Sequence, residues 1–565
     1  MKSTKKGEIM RSVKLTVLSS LFLIVAFSVP RGLNAQTIPQ PGENFNAITN
    51  NGIWTWYGEP KAVYYEGIHR RTYIGWNTNV GTQWVGYYDH DTKTTAQVEL
   101  PRHYPADDHN HPMVIVRPDG RIMIFHTGHD GKEISEYISK QPEDISALDT
   151  FTVTILDWCC YPNVCFLKNE GTKGRYYLFF RDLNQEPWFR TSDDWGVTWS
   201  KELNLYTNNP HGYKPYFKCA SNGVDEIHID VERENRAGGG SIPTYYMKYK
   251  NGSFYQASGK LIATMAQLPI VNTVLDTVIY PGAYGAGGTV WDIMYDANDN
   301  PVILYDMFFN NNSTHVYWYL RWTGSYWFKR PLVNSGNNMG VSGQQFCGGF
   351  TFNHENPNVI YMSRQLVKSS ATPFNLADTS FANYKKIALT NFVTVDSGFE
   401  IDKWTTADGG LTWDSVAITR GSAAKNIRPC VPRGHKDNMN INVIWLDGTC
   451  TSMGGSGYNM AVRMYPTDRA VPTTPSNRTF AQSTAPDLQI TKTGIKVMLV
   501  RPLSASLKIY SLKGRLVADL TKRIRAMGSG SATIPFAGLG CPNGAYLVEL
   551  DNGKYWITRS MAFVK

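Results

Sequence analysis

The chain has 565 residues, 13% of them aromatic, with 49 glycines and 29 prolines, a length and composition that suit more than one domain built from short segments. Its net charge of +9 does not argue for nucleic acid: the first 36 residues carry +5 and residues 486–565 carry +8, leaving −4 between them, so specificity for an acidic ligand must come from local arginines, lysines and histidines. Eight cysteines are too few for a disulfide scaffold, and the Cys159-Cys160-x4-Cys165 spacing is no standard zinc pattern, which leaves ordinary buried cysteines or a disulfide as the simpler readings.

The chain opens on a basic segment with Lys2, Lys5, Lys6, Arg11 and Lys14, followed by an apolar run from Leu15 to Val29 and small or polar residues around Ala35. This is the pattern of a signal peptide over residues 1–35, too short for a membrane span, and it predicts a secreted or cell-surface protein with no transmembrane segment after it.

The stretch DDHNHPMVIVRPDGRIMIFHTGHD, Asp107 to Asp130, places His109, His111, His126 and His129 around two apolar runs joined by the turn Pro118-Asp119-Gly120. A hairpin returns its ends to one edge, so His109 and His129 are expected at the same rim. Histidines beside Asp107, Asp108 and Asp130 suit proton transfer or metal binding, and they equally suit a hydrogen-bonded loop that caps strands.

A polar turn feeding a Tyr-, Ile-, Val- and Phe-rich run recurs from His69, Arg117, Thr172, Ser221, Ala297, Glu355 and Asn438, with no long amphipathic helix after the leader. The spacing fits four-stranded propeller blades and predicts an all-β, seven-bladed β-propeller over residues 40–466. Ser192-Asp-Asp-Trp-Gly-Val-Thr-Trp199 and Thr406-Ala-Asp-Gly-Gly-Leu-Thr-Trp413 follow the Asp-box pattern, in which side chains bond the turn's backbone and the tryptophan packs between sheets. Residues 467–486, rich in Thr, Ser and Pro, read as a linker, and the short strands beyond predict a small immunoglobulin-like β-sandwich over residues 487–565.

With RPDGRIMIFHTGHD, CYPNVCFLKNEGTKGRYYLFFR, WFRTSDDWGVTWS, KPYFKCASNGVDEIHI and IRPCVPRGH in place, residues from about 51 to 466 resemble the BNR-repeat family that contains ulvan lyases and rhamnose-glucuronate lyases. The resemblance implies catalytic roles for His109, His129, Tyr161, Arg181 and Tyr216, with Arg190 and Lys218 binding substrate. It implies β-elimination on an acidic, uronate-containing polysaccharide. Arg181 and a histidine would neutralise the carboxylate, and Tyr161 with His109 or His129 would supply base and acid, provided the tyrosine is lowered from its usual pKa of about 10. That chemistry requires no cofactor. Many family members carry a Thr-x-Gly-His-Pro segment after the strand holding His228; this chain reads DVERENRAGGGS there, so a family-type structural metal is unsupported. The terminal strands ending in FVK resemble carboxy-terminal sorting domains of Bacteroidota-type secretion, which would make secretion machinery a partner; an accessory immunoglobulin-like module is the other reading. Two further function classes stand beside the lyase: a sialidase-like glycoside hydrolase, which needs paired carboxylates or a Tyr-Glu pair, and a non-catalytic glycan-binding propeller using Trp188, Trp322 and Trp327.

Overall fold

The seven turn-to-apolar stretches all become strands: Arg70–Asn77, Ile122–His126, Arg175–Arg181, Glu226–Glu232, Pro301–Phe309, Asn356–Gln365 and Val443–Cys450. Each pairs antiparallel with the strand that precedes it. Ile122–His126 is buried along its whole length, as expected of a strand covered on both faces by neighbouring sheets. The computed structural model describes residues 45–563 apart from several short stretches and the longer segments 366–397 and 466–486. The expected signal peptide and linker lie outside the described residues.

The chain divides into two compact units, Met1–Arg469 and Ala470–Lys565. In the first, antiparallel sheets follow one another along the chain, in the manner of a β-propeller. Three are four-stranded, one has six strands, and a seven-stranded sheet combines two four-stranded groups that share the 24-residue strand Asp144–Leu167. Residues 144–159 of that strand pair with Gly131–Gln141, and residues 160–167 pair with Arg175–Arg181. One further sheet joins the two ends of the unit, because Ala47–Thr49 pairs with Tyr458–Tyr465 beside Val443–Cys450 and Lys425–Cys430. Large side chains fill the space between sheets, among them the fully buried Trp54, Trp76, Trp404 and Trp445.

Both Asp boxes form the expected turn. Asp194 accepts from Thr198 N at 2.8 Å and Thr198 Oγ1 at 2.6 Å, and Asp408 does the same with Thr412 at 2.9 and 2.6 Å. Trp413 packs edge-on against Tyr319 of the preceding sheet, while Trp199 donates to Glu136 Oε2 at 2.8 Å. All eight cysteines are buried and free, so neither the Cys159–Cys165 group nor any other pair is bridged.

The second unit is a β-sandwich. A three-stranded sheet of Asp487–Ile490, Gly494–Leu499 and Gly530–Pro535 and a four-stranded sheet ordered Leu516–Asp519, Ser506–Ser511, Gly544–Asp551, Trp556–Phe563 share a core that includes Leu488, Val497, Leu507, Ile509, Ile524 and Val548. Among the described residues no helix is long and apolar enough to cross a membrane.

Candidate active site

The hairpin argument holds for the two rim histidines. Met113–Val116 and Ile122–His126 pair with Met113 opposite Phe125, so the residues before the first strand and after the second meet at one end of the sheet. There the rings of His109 and His129 stack, with centroids 3.8 Å apart and planes 11° from parallel. The two inner histidines do structural work: His111 Nδ1 lies 3.1 Å from Asp108 O, and His126 Nε2 lies 3.1 Å from Tyr137 Oη. Burial pushes both rings down to about 3, which keeps them neutral.

Asp107 organises the stacked pair. It caps the short 3-10 turn Asp108–Asn110 by accepting from His109 N, and its two carboxylate oxygens receive His109 Nδ1 at 2.5 Å and His129 Nδ1 at 2.9 Å. His109 Nδ1 also lies 2.8 Å from Asp108 Oδ1, whose other oxygen holds the buried Arg428 at 2.6 Å. Burial opposes a charge on His109, yet the Asp108 and Asp107 carboxylates outweigh it and raise the ring to about 9. Burial likewise opposes the Asp107 carboxylate, and the two histidines reverse this, holding it far below its ordinary range. With Nδ1 of each imidazole turned to Asp107, the Nε2 atoms are the ones left for a substrate.

Tyr161 sits where the long strand changes partners. The register shifts between Phe179 and Arg181, which pair with Asn163 and Cys160, and Tyr161 has φ +56, so the bulge turns its ring out of the regular alternation. The ring lies 5.1 Å from His109, 5.1 Å from Tyr57 and 5.6 Å from Tyr216, while Tyr57 and Tyr216 stack at 4.3 Å. Arg181 ends its strand beneath these rings, with Cζ 4.5 Å from the centroid of Tyr216 and 5.6 Å from that of Tyr161.

Arg181 is only 3% exposed. Its hydrogen bonds go to Gln185 O, Gln185 Oε1 and Lys214 O, at 3.0, 2.8 and 3.3 Å. Among the described residues no carboxylate lies within ion-pair distance of it. A buried guanidinium held by carbonyl oxygens and tyrosine faces keeps its charge available for an incoming anion. The sequence expectation for Tyr161 needs correction in one respect: burial, reinforced by Tyr216 and Cys160, pushes the phenol well above 10, and Arg181 lowers it only in part. Tyr161 therefore holds its proton in the free site, which suits an acid rather than a base.

His109, His129, Tyr161, Arg181 and Tyr216 thus come together; Arg190 and Lys218 do not join them. Arg190 is taken up by Glu202 Oε2 at 3.0 Å through Nε and by the carbonyls of Ser200 and Thr154 at 3.1 and 2.6 Å. Lys218 is 1% exposed at its side chain and bonds Glu59 Oε1 at 3.0 Å and Trp56 O; Glu59 is also paired with Lys61 and Arg433. A cavity of about 320 Å³ lined by Glu59, Asn163, Tyr295, His354 and Arg433 contains none of the clustered residues. Tyr57 is a site residue that the motif reading passed over, with no sequence signal beyond an aromatic-rich stretch, whereas Asp107, singled out beside the histidines, is the residue that holds both rings. Asp107, His109 and His129 also have the spacing of a metal cluster, but Asp107 already satisfies both Nδ1 atoms.

A family model described as BNR repeat-containing family member matches residues 71–335. Among curated proteins no sequence matches. In three dimensions the chain is similar to an ulvan lyase of a new polysaccharide lyase family, PL25, solved free and bound to -[GlcA(1-4)Rha3S]-, with TM-score 0.53 and 15% identity over 74% of this chain and 94% of that one. A second similar structure, polysaccharide lyase Uly1, has TM-score 0.46 and 11% identity over 76% of this chain and 93% of that one. The first likeness supports the propeller fold of an all-β chain that carries a BNR-repeat match.

Proposed function

We propose that this protein is a secreted or surface-held polysaccharide lyase that cleaves a uronate-containing glycan by β-elimination. The observation that carries the reading is Arg181: a buried cation with no carboxylate partner among the described residues, backed by Tyr161 and Tyr216, beside a histidine pair set on one aspartate. A uronate carboxylate placed against Arg181 and the charged His109 loses the negative charge that makes the neighbouring C5 proton weakly acidic. His129 Nε2 accepts that proton. The C5–H electron pair becomes the C4–C5 double bond, the C4–O bond breaks, and the leaving oxygen takes the proton of Tyr161 Oη. The propeller fold shared with a structure bound to -[GlcA(1-4)Rha3S]- supports screening glucuronate-rhamnose polymers first. A glycosidase would need two carboxylates free to act as acid and base or nucleophile, and Asp107 and Asp108 are both committed to cations.

Incubation with ulvan, other rhamnose-glucuronate polymers and pectic glycans should give an unsaturated uronate that absorbs in the ultraviolet. Arg181→Gln should lower kcat/KM by about 10²- to 10³-fold, as expected for loss of one charge-stabilising contact, whereas Arg190→Ala should stay within a few-fold of the parent. New reducing ends without the unsaturated product would establish a hydrolase instead, and saturable binding without cleavage would establish a lectin-like propeller.

A further inference from the structure

One group of metal-ligand side chains away from the histidine pair is wholly enclosed. Asp306, His315 and Cys347 are each 0% exposed, and one ligand atom from each lies within 4.8 Å of the others. The sheet register brings the first two together: Asp306 stands opposite Tyr317 and Phe308 opposite His315 on the paired strands Pro301–Phe309 and Thr314–Trp322, so Asp306 and His315 are diagonal neighbours on one face. His315 Nδ1 meets Asp306 Oδ2 at 2.6 Å. Cys347 arrives from the segment leading into the next sheet, whose first strand is Phe350–Asn353. Tyr317 fixes that approach, accepting from Gly349 N at 2.7 Å and stacking on Phe350 at 3.9 Å.

The cluster is incomplete as it stands. Asp306 Oδ1 is fully buried and has no hydrogen-bond partner, an arrangement that disfavours the fold unless something satisfies it, and an ion shared by Asp306 and His315 Nδ1 would replace the hydrogen bond between them. We propose that Asp306, His315 and Cys347 bind a zinc ion that ties two consecutive sheets of the propeller together. Oxygen, imidazole and thiolate ligands in one set suit zinc, whereas calcium and magnesium call for oxygen alone. Bond lengths of about 2.0–2.3 Å place tetrahedral ligands some 3.3–3.8 Å apart, so a spacing of 4.8 Å closes with about 1–1.5 Å of side-chain adjustment, and the 2.6 Å contact of His315 with Asp306 opens by about 1 Å. Zinc takes the thiolate, so the Cys347 thiol gives its proton to solvent as the S–Zn bond forms.

The full chain, stripped with EDTA and dialysed into metal-free buffer, is titrated with Zn²⁺ and, in parallel, with Co²⁺. Expected are one zinc per chain, a cobalt–thiolate charge-transfer band, and a melting temperature raised by about 5 °C or more at saturating zinc. Cys347→Ser should lose the cobalt band and weaken zinc binding by at least about tenfold, while His129→Ala, which alters the separate histidine cluster, should keep both. The cobalt spectrum is read on the unaltered chain and does not depend on a variant folding. Absence of the thiolate band in that chain, an unchanged band in folded Cys347→Ser, or metal lost only in His129→Ala would each overturn the assignment.

Discussion

Replacing Asp107 by asparagine keeps the shape of the side chain and removes the charge on which both rim histidines converge. The raised value of His109, about 9 against an ordinary 6.5, corresponds to roughly 3 kcal/mol in favour of the charged ring. That figure is net of the burial that opposes the charge, so the two carboxylates together supply more than it, and losing one of them should lower the His109 midpoint by at least about one pH unit. Because the folded value lies above the unfolded one, the stability this interaction provides is complete below about pH 6.5 and fades as pH rises through about 9; Asp107→Asn should flatten that decline. The Asp107 carboxylate takes part in the same interaction, so its lowered value adds no second contribution. For catalysis the variant should bring the alkaline limb of the pH–rate profile down with the His109 midpoint and cost on the order of 10²-fold in kcat/KM, since the base loses its orienting partner as well. Histidine ring signals followed by NMR across pH report the midpoint directly, and initial rates of unsaturated-product formation report the limb. An unchanged His109 midpoint in the variant would refute the electrostatic account whatever the substrate proves to be.

Two other perturbations separate structure from export. Glu136 is buried with one oxygen on Trp199 Nε1, and burial raises it to about 8. Its protonated form is therefore the folded form between about pH 4.5 and 8, its contribution to stability falls with rising pH across that window by at most about 5 kcal/mol, and Glu136→Gln should remove that contribution, read as a difference in slope from the parent in denaturant melts taken at several pH values. A slope the same as the parent's across that window would place the titrating group elsewhere. We further propose that the second unit acts as a sorting signal for the secretion machinery: deleting residues 487–565 should leave kcat of the purified first unit within a few-fold and abolish appearance of the protein at the cell surface or in the medium. Unchanged export would remove that role.

What was legible in the sequence was whatever depends on neighbours along the chain. The alternation of strands, the Asp boxes and the Pro118-Asp119-Gly120 hairpin are local, and the hairpin alone was enough to bring His109 to His129. The role of Asp107 was half local, since its capping bond to His109 N spans two residues while its bond to His129 spans 22. Tyr57 and Arg428 reach the same neighbourhood from the two ends of the first unit, where no periodicity foretells a contact. The arginines show most plainly what a sequence withholds. Arg181 and Arg190 lie on adjacent paired strands, and both read as substrate-facing cations near a tyrosine motif. Pairing sets Leu178 opposite Arg190 and Phe179 opposite Phe189, so Arg190 shares a sheet face with Leu178, while Arg181, an odd number of residues further on, projects from the other face. One face meets Glu202 and the other meets Tyr161 and Tyr216. A register one residue different would have turned Arg190 away from Glu202 and onto the face that carries Arg181. Lys218 fails as a site residue for a similar reason, because two residues beyond Tyr216 along a strand is a displacement of about 7 Å, which carries its ammonium to Glu59 instead of to the histidines. Strand register, which the sequence alone leaves open, is therefore what decides which positive charge is left for an acidic substrate.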